Sequence, residues 1–390
     1  MHFYIHSLPP DAEIRIPASI GVPLLQVCVQ LQLPPVITYS DDVLYNWALK
    51  APSKDPIPAL DNLCCLTSFT GTRDEDEFYL ASARIELRGV DALEIMRATM
   101  DELFVGDMLA ARRITRYLHS LVRVLDDLAR LLLAVRDGCD PEIFYHAIRP
   151  WFNGADSGSR KWTFEGIEDS GDGAHSPPSG LRVPAELSGP SAAQSSLIHA
   201  MDTFLGVDHT GNPAAHPSAQ SSSSPSSSLT PTPEAGASTT TATAHGPPAK
   251  TPFLTRMRAY MPRHHRNFLR HLAAAPRPLR AAVARMGDAA LTEAYNAAVD
   301  ALRRFRDAHL RIVALYIVGP SHRGAPTSVV APRAEVAAAE ACAGQSSVAV
   351  GTEAVPGLLR GTGGTDLVRF LKGVRDRTSE TAFLAGCGAS

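Results

Sequence analysis

A histidine lies within the apolar face of the last strongly patterned helix of the sequence. In the segment ALRRFRDAHLRIVALYIVG, apolar residues recur every three or four positions around His309, which places them on one helix face. A buried ring nitrogen without a partner costs about 1–3 kcal/mol. A core histidine bonded to a carbonyl or a water meets this requirement, and so does an axial ligand of a metal or haem, so the segment alone leaves both interpretations open.

Two charged residues could support the ligand interpretation. Arg306 precedes His309 by three positions, which is one helical turn on nearly the same face. Asp202 ends the apolar pattern SSLIHAMDTFLG and could face this pair. A histidine that ligates iron needs its second ring N–H held by a hydrogen bond, and a neighbouring ion pair often provides it. The arrangement therefore suits a proximal haem ligand.

The composition is that of a globular protein without a dominant charge. The 390 residues are 45% hydrophobic and 20% charged, which suffices for one large domain or two. The net charge of −3 predicts no attraction to nucleic acid or anionic membranes. The start lacks a signal-peptide pattern and no apolar stretch approaches a membrane span, so we expect a cytoplasmic protein without a membrane partner. Six scattered cysteines without a C-x-x-C pair predict reduced thiols and argue against structural zinc.

Three other motifs give only weak chemical signals. The residues Gly189, Ser191 and Ala193 form G-x-S-x-A, not the nucleophile elbow of a serine hydrolase. The glycine-rich GTGGTDL lacks both the P-loop lysine and G-x-G-x-x-G, so we interpret it as a hinged loop. Between Arg256 and Arg285 there are eight arginines, three histidines and no acid. The negative overall charge favours a solvated helix face that screens a buried anionic ligand over a nucleic-acid site.

Helical periodicity dominates the rest of the chain. A leucine stripe predicts one long helix over Ile114 to Val135. A further helix is expected to begin with Asp140 as N-cap and Pro141 at the first position, and Pro150 bends or ends it. The segment from Phe78 to Leu87 is ambiguous between strand and helix. Because alternating patterns are nearly absent, the sequence predicts an all-α fold.

Ordered blocks in both halves of the sequence resemble the indoleamine 2,3-dioxygenase family. In the second half they are LSGPSAAQSSLIHAMDTFLG, MRAYMPRHHRNFL, GDAALTEAY, FRDAHLRIVALYI and GTGGTDLVRFLKGVRDRT. In the first half, LQLPPVITYSDDVLYNW, FYLASARIE and FYHAIRPWF fit the same family. The resemblance runs from about Ile16 to Gly386. Five blocks in the same order are specific, whereas a single block would not be.

The resemblance implies a large helical domain that holds haem b and a smaller helical domain that covers its distal face. We expect residues 1–68 to be a remnant of the small domain with a linker, because the family carries further helices before this point. Residues 69–390 would form the haem-binding catalytic domain. Within it, the Ser/Thr/Pro-rich residues 212–250 are predicted to be a disordered insertion, since they contain too little apolar surface to offset their ordering entropy.

The resemblance also implies residue roles. His309 matches the proximal iron ligand, Arg306 with Asp202 matches the charged pair near a haem propionate, and Ala192 matches the residue behind the haem edge. Ser82, Arg149 and Thr362 match positions that contact or enclose the substrate. The matching substrate-pocket residues are apolar or aromatic: Tyr39, Val43, Phe78, Tyr79, Phe144 and Phe152. Such residues suit an indole ring, and the Arg149 guanidinium suits a carboxylate.

The implied reaction adds both atoms of O2 across the indole C2–C3 bond of tryptophan to give N-formylkynurenine, and the implied substrate is L-tryptophan or a related indoleamine. This is the first step of the kynurenine pathway toward NAD, and it needs an external electron donor. We expect a monomer. The alternatives are a haem-binding paralogue with little or no dioxygenase activity, acting as a sensor or carrier, and a helical interaction protein without a cofactor, in which His309 is a core residue.

Two residues depart from the family pattern. Asp42 places an acid where the family pocket tends to hold a small uncharged residue, which would weaken indole binding. Pro190 stands where glycine is common beside the haem, and it would stiffen that linker.

Overall fold

The computed structural model describes residues 1–9, 11–157, 160–167, 181–184, 186–209, 251–323 and 366–384. The predicted insertion at 212–250, Thr362 and most of the GTGGTDL loop lie outside these ranges. The α-helices are α1 His2–Ser7, α2 Ala18–Leu31, α3 Arg73–Arg88, α4 Val90–Val105, α5 Met108–Leu133, α6 Pro141–Ile143, α7 Ser196–Leu205, α8 Phe253–Met257, α9 Arg263–Ala273, α10 Leu279–Met286, α11 Ala289–Val313, α12 Gly319–Ser321 and α13 Leu367–Glu380.

Two long helices, α5 and α11, pack along each other at the centre of the described fold. Helix α5 begins because the Asp107 side chain accepts a hydrogen bond from the Ala110 N–H at 2.6 Å. Helix α11 begins in the same way, with Asp288 accepting from the Leu291 N–H at 2.8 Å. The predicted stripe of α5 is buried against α4, α7, α10 and α11, which forms the main core and fixes the axis of the helix that carries His309.

The ambiguous segment is helical. Residues Phe78 to Leu87 lie within α3, where Thr72 caps the first turn by accepting from the Glu75 N–H at 3.3 Å. Strands are short, which agrees with the all-α prediction: β1 Ile14–Ile16 pairs in parallel with β4 Trp162–Phe164, and β2 Trp47–Leu49 pairs antiparallel with β3 Leu63–Cys65.

The Asp140 cap is confirmed, since its carboxylate accepts from the N–H groups of Glu142 and Ile143 at 2.8 and 3.2 Å. The helix that follows is not a regular one. After α6 the chain forms a π-helix, Phe144–Ile148, and then a 3₁₀ turn, Arg149–Phe152. Pro150 lies in this turn, where its missing N–H ends the wider helix.

Two further π-helices occur in the described residues, Ser40–Leu44 and Ala314–Val318. The second continues directly from α11. In a π-helix each N–H bonds to the carbonyl five residues earlier, one residue farther than in an α-helix. Such wide turns are common at functional sites. The Ser40–Leu44 segment stands where a short amphipathic helix would be expected from the sequence pattern.

The N-terminal residues pack onto the middle of the chain. Ile14, Ile16 and Leu25 are buried with Trp162 and Phe164 in a second apolar core. The division into two domains at residue 68 stays a prediction. Within the described ranges, none of the helices combines the length and the apolar character needed to cross a membrane.

Candidate active site

His309 lies where two neighbouring cavities meet. Both cavities are lined by His309, and their volumes are about 200 and 120 Å³. Tyr39, Ser82 and Ala192 also line both, so the two cavities adjoin along this side of the histidine.

The His309 imidazole is neutral and has no hydrogen-bond partner among the described residues. Burial and, to a smaller extent, the positive charge of Arg306 one turn away lower its pKa to about 4. A neutral imidazole has a free lone pair for a metal. The described part of the chain places no carbonyl in hydrogen-bond contact with the ring, which faces the two cavities.

The larger cavity brings together all the predicted substrate-pocket residues of the described chain. They come from three stretches that are distant in sequence: Tyr39, Val43, Phe78, Tyr79, Phe144 and Phe152. Ser82, Arg149 and Ala192 line the same cavity. Sequence reasoning missed the contributions from the end of α11, from the π-helix that follows it and from α13, which are Ile312, Val313, Tyr316, Ile317, Leu367, Phe370 and Leu371.

Aromatic rings pack against one another along one wall. The Phe78 ring centroid lies 4.4 Å from that of Phe144 and 5.9 Å from that of Phe152. The Phe144 ring also meets Tyr316 edge-on at 5.6 Å. Because the Tyr316 hydroxyl donates to the Cys139 carbonyl at 2.6 Å, this ring is held in place. The wall is a rigid apolar surface on which an indole can stack.

Arg149 lies at the start of the 3₁₀ turn, with its guanidinium 5.3 Å from the centroid of the Tyr145 ring. Burial lowers the pKa of this arginine, but a guanidinium remains charged at any physiological pH. It is the cationic side chain that lines the larger cavity among the described residues, and its planar donors match a carboxylate.

A buried hydrogen-bond network connects Tyr39 to α3 and to the Ala192 segment. The Tyr39 N–H donates to the Gln194 amide oxygen at 2.9 Å, and its hydroxyl donates to Glu86 at 3.0 Å. The Ser195 hydroxyl donates to the same Glu86 oxygen at 2.6 Å. Burial raises the pKa values of both Tyr39 and Glu86. These partners fix one rim of the cavity, and no local sequence signal connects positions so far apart.

The segment before Ala192 approaches the Phe152 turn closely. A Cβ atom at Gly189 would lie 1.8 Å from the Phe152 carbonyl oxygen, and one at Gly154 would lie 2.1 Å from the Leu187 carbonyl oxygen. Only glycine fits at either position. Pro190, the residue after Gly189, lines the larger cavity.

Asp202 and Arg306 form a buried ion pair beside the smaller cavity. Asp202 also lies 2.7 Å from His209 through its second carboxylate oxygen, and Arg306 also contacts the Thr378 hydroxyl. The two side chains face each other as the sequence suggested, and their role near a haem propionate stays a prediction. Its atoms do not hold the His309 ring, however, because the carboxylate is already used by Arg306 and His209.

Asp42 points an acid into the larger cavity. Its side chain is buried, with 5% of its surface exposed. Burial raises the pKa of Asp42 well above its usual value, and the carboxyl groups of Asp41 and Glu75 raise it further. The acid that departs from the family pattern therefore lines the cavity, and its surroundings favour the neutral form of the carboxyl group.

The donor set fits a haem and not a bare metal ion. Within the described ranges, no three His, Cys, Asp or Glu side chains converge in a way that could hold an ion. A haem iron already has four nitrogen ligands from its macrocycle and takes one axial ligand from the protein. A single neutral histidine at the junction of two cavities meets that requirement.

The model of the family described as indoleamine 2,3-dioxygenase matches residues 1–381. The chain belongs to this family. The match begins at the first residue, earlier than the Ile16 suggested by the motifs. The family is haem-dependent, and the predicted family, the all-α fold and the oxidoreductase class are confirmed.

Three known proteins are similar to this chain over nearly its whole length. Indoleamine 2,3-dioxygenase of Saccharomyces cerevisiae is 33% identical over 98% of this chain and 76% of its own length. Indoleamine 2,3-dioxygenase 1 of Mus musculus is 30% identical over 96% and 75%. The 6-hydroxytryptophan 2,3-dioxygenase of Fusarium equiseti is 30% identical over 95% and 76%.

Proposed function

We propose that this chain is a haem b-dependent dioxygenase that converts tryptophan to N-formylkynurenine at the head of the kynurenine pathway, or a related indoleamine to the corresponding ring-opened product. The observation that carries the proposal is the position of His309, which faces both cavities with a neutral, unpartnered ring. The cytoplasm as its location, an external electron donor and a monomeric state belong to the same proposal.

His309 would hold the iron, and the residues around the smaller cavity would hold the rest of the haem. Ala192 lines both cavities and would lie against the haem edge. The Arg306 and Asp202 pair supplies a fixed charged group on the side of the smaller cavity. When bound, the haem supplies the activation of O2 and its insertion across the indole C2–C3 bond.

The protein's own residues would bind and orient the substrate. The rings of Phe78, Phe144 and Phe152 would stack on the indole, and Arg149 would take its carboxylate in a bidentate contact. Ser82 lines both cavities, and its hydroxyl would be a hydrogen-bond partner of the substrate. The apolar walls exclude water from the reacting atoms. Thr362 would close the site from a loop that lies outside the described residues.

A second candidate is a haem-binding relative with little or no activity on tryptophan. One observation favours it: the Asp42 carboxyl group occupies a cavity that is otherwise suited to an unsubstituted indole. A polar group without a partner opposes binding of an apolar ring.

One assay on the purified chain supplied with haem separates these candidates. The ferrous carbon monoxide spectrum reports whether His309 holds haem, and added reductant with L-tryptophan is followed for N-formylkynurenine. Haem binding with product formation is the expected result. Haem without product from any indole would favour the inactive relative, and a colourless protein would contradict both candidates.

A further inference from the structure

The Asp42 carboxyl group is the polar feature of the larger cavity that the proposed reaction leaves without a purpose. It is 5% exposed and lines the cavity, and its side chain makes no hydrogen bond or ion pair among the described residues. Its oxygens are not among the fully enclosed polar atoms that lack a partner, so they face the cavity. A ligand that displaces water from the cavity must supply a hydrogen-bond partner for this carboxyl group, because an enclosed polar group without one costs free energy.

The surroundings of Asp42 are those of the ring-binding part of the cavity. Asp42 lies in the π-helix Ser40–Leu44 next to Val43, and the larger cavity places it with the aromatic side chains of Phe78 and Tyr79. It does not line the smaller cavity, which His309 shares with the larger one. It also forms no ion pair with Arg149, so the carboxylate-binding cation and the buried acid are separate features of one pocket.

The protonation state of the Asp42 carboxyl group limits which ligand groups can form hydrogen bonds with it. Burial and the carboxyl groups of Asp41 and Glu75 raise the pKa of Asp42, which favours the neutral acid, a form with one O–H donor and one carbonyl acceptor. A hydroxyl group is the matching partner, because it can both accept and donate one hydrogen bond. An unsubstituted benzene ring offers neither.

We propose that Asp42 is a specificity-determining residue that selects indoles carrying a hydroxyl group on the benzene ring over unsubstituted tryptophan, through hydrogen bonds to that hydroxyl. The inference rests on the proposed function, since it takes the larger cavity to be the indole site. It adds a substrate class to that function and assigns the departure at Asp42 a purpose.

Binding calorimetry without oxygen, followed by steady-state kinetics, tests this with L-tryptophan and its 4-, 5-, 6- and 7-hydroxy derivatives. We expect at least one hydroxylated compound to bind the wild-type haem protein about tenfold more tightly than tryptophan, as one added hydrogen bond allows. Equal affinity for tryptophan and all four derivatives would overturn the proposal without any variant.

Two substitutions identify the group responsible. In Asp42→Leu the preference should disappear and tryptophan should bind more tightly, since the apolar side chain removes the unpartnered acid. In Asp42→Asn the preference should be retained, because the amide also offers one acceptor and a donor. Asp61→Asn is the matched control: Asp61 is exposed and does not line the cavity, so this variant should keep the substrate preference of the wild type.

The substitutions also expose a different role for the acid. If Asp42 paired as a carboxylate with the substrate ammonium group, Asp42→Asn and Asp42→Leu would weaken tryptophan and its derivatives equally, which would overturn the proposal. Hydroxyl-selective binding without turnover would contradict the proposed dioxygenase function and leave the role of Asp42 standing. Absence of binding by every indole would contradict both.

Discussion

Asp202 in α7 and Arg306 in α11 form an ion pair in which only 6% and 7% of the side-chain surfaces are exposed. The pair joins two helices that are about one hundred residues apart in sequence. Each charge has further partners, His209 for the carboxylate and Thr378 for the guanidinium. Because Arg306 precedes His309 by one turn, this contact fixes the rotation of α11 about its axis and therefore the direction of the His309 ring.

Asp202→Asn should destabilise the protein by about 3–5 kcal/mol, because it leaves the Arg306 charge buried and unpaired. Urea unfolding measures this. The matched control is Asp101→Asn, which removes an exposed partner of Arg97 and should cost less than about 1 kcal/mol. Equal losses in the free energy of unfolding would show that the buried ion pair stabilises the protein no more than an exposed one does.

The pH dependence of that contribution has a defined sign. The Arg306 charge and the His209 contact lower the pKa of Asp202 in the folded state. The stabilisation is therefore complete above the unfolded value of about 3.9 and is lost as the pH falls through the lower folded value. Acid unfolding of Asp202→Asn should accordingly be less steep below about pH 4 than that of the wild type.

The haem-free protein should lose stability between about pH 6.5 and pH 4 for a different reason. Burial lowers the pKa values of His199 and His309 to about 4. In this window the unfolded chain binds protons that the folded chain does not, so each histidine reduces stability by up to about 1.4 kcal/mol per pH unit as the pH falls. Urea midpoints at several pH values measure the slope, and His199→Gln should reduce it. An unchanged slope would contradict the assignment.

His309→Ala should abolish the Soret band while the far-ultraviolet circular dichroism stays at the wild-type level. Alanine lacks the imidazole that would ligate the iron, and because it favours the helical conformation, α11 should remain intact. His271→Ala is the control, since His271 is exposed on α9 and should leave haem binding unchanged. Wild-type haem retention in His309→Ala would refute the ligand assignment.

Arg149→Ala should raise the apparent KM for tryptophan by about tenfold or more, as expected for a lost charge-assisted contact of about 1.5–3 kcal/mol. Tryptamine lacks the carboxylate, so its kinetics should change little. The ratio of the two substrates is the measurement, and an equal loss for both would indicate that Arg149 acts on the pocket's shape.

Local pattern predicted some parts of this molecule well. The leucine stripe of α5 and the apolar face around His309 follow from spacing alone, because burial repeats with the helical period. The strand and helix ambiguity from Phe78 to Leu87 could have been resolved by Thr72 and Glu75, whose spacing matches the start of a capped helix.

Other parts of the site could not be read from local pattern. The contact between the Tyr39 N–H and Gln194 joins positions 155 residues apart, and their polarity gives no sign of pairing. The π-helices could not be predicted either. A single wide turn shifts the spacing of apolar residues by one position, and the spacing in ordinary α-helices varies by as much. The roles given to Ser82, Arg149 and Ala192 stay predictions, although all three line the larger cavity.

The three π-helices all contribute side chains to the larger cavity: Asp42 and Val43 from the first, Phe144 from the second, Tyr316 and Ile317 from the third. Each wide turn is related to an ordinary α-helical turn by the gain of a single residue. Losing that residue would restore the α-helix and rotate the following side chains by about 100°, which is one residue's share of a 3.6-residue turn. Single-residue deletions at these places therefore offer descendants of this gene a short route to a differently shaped pocket with the surrounding helices preserved.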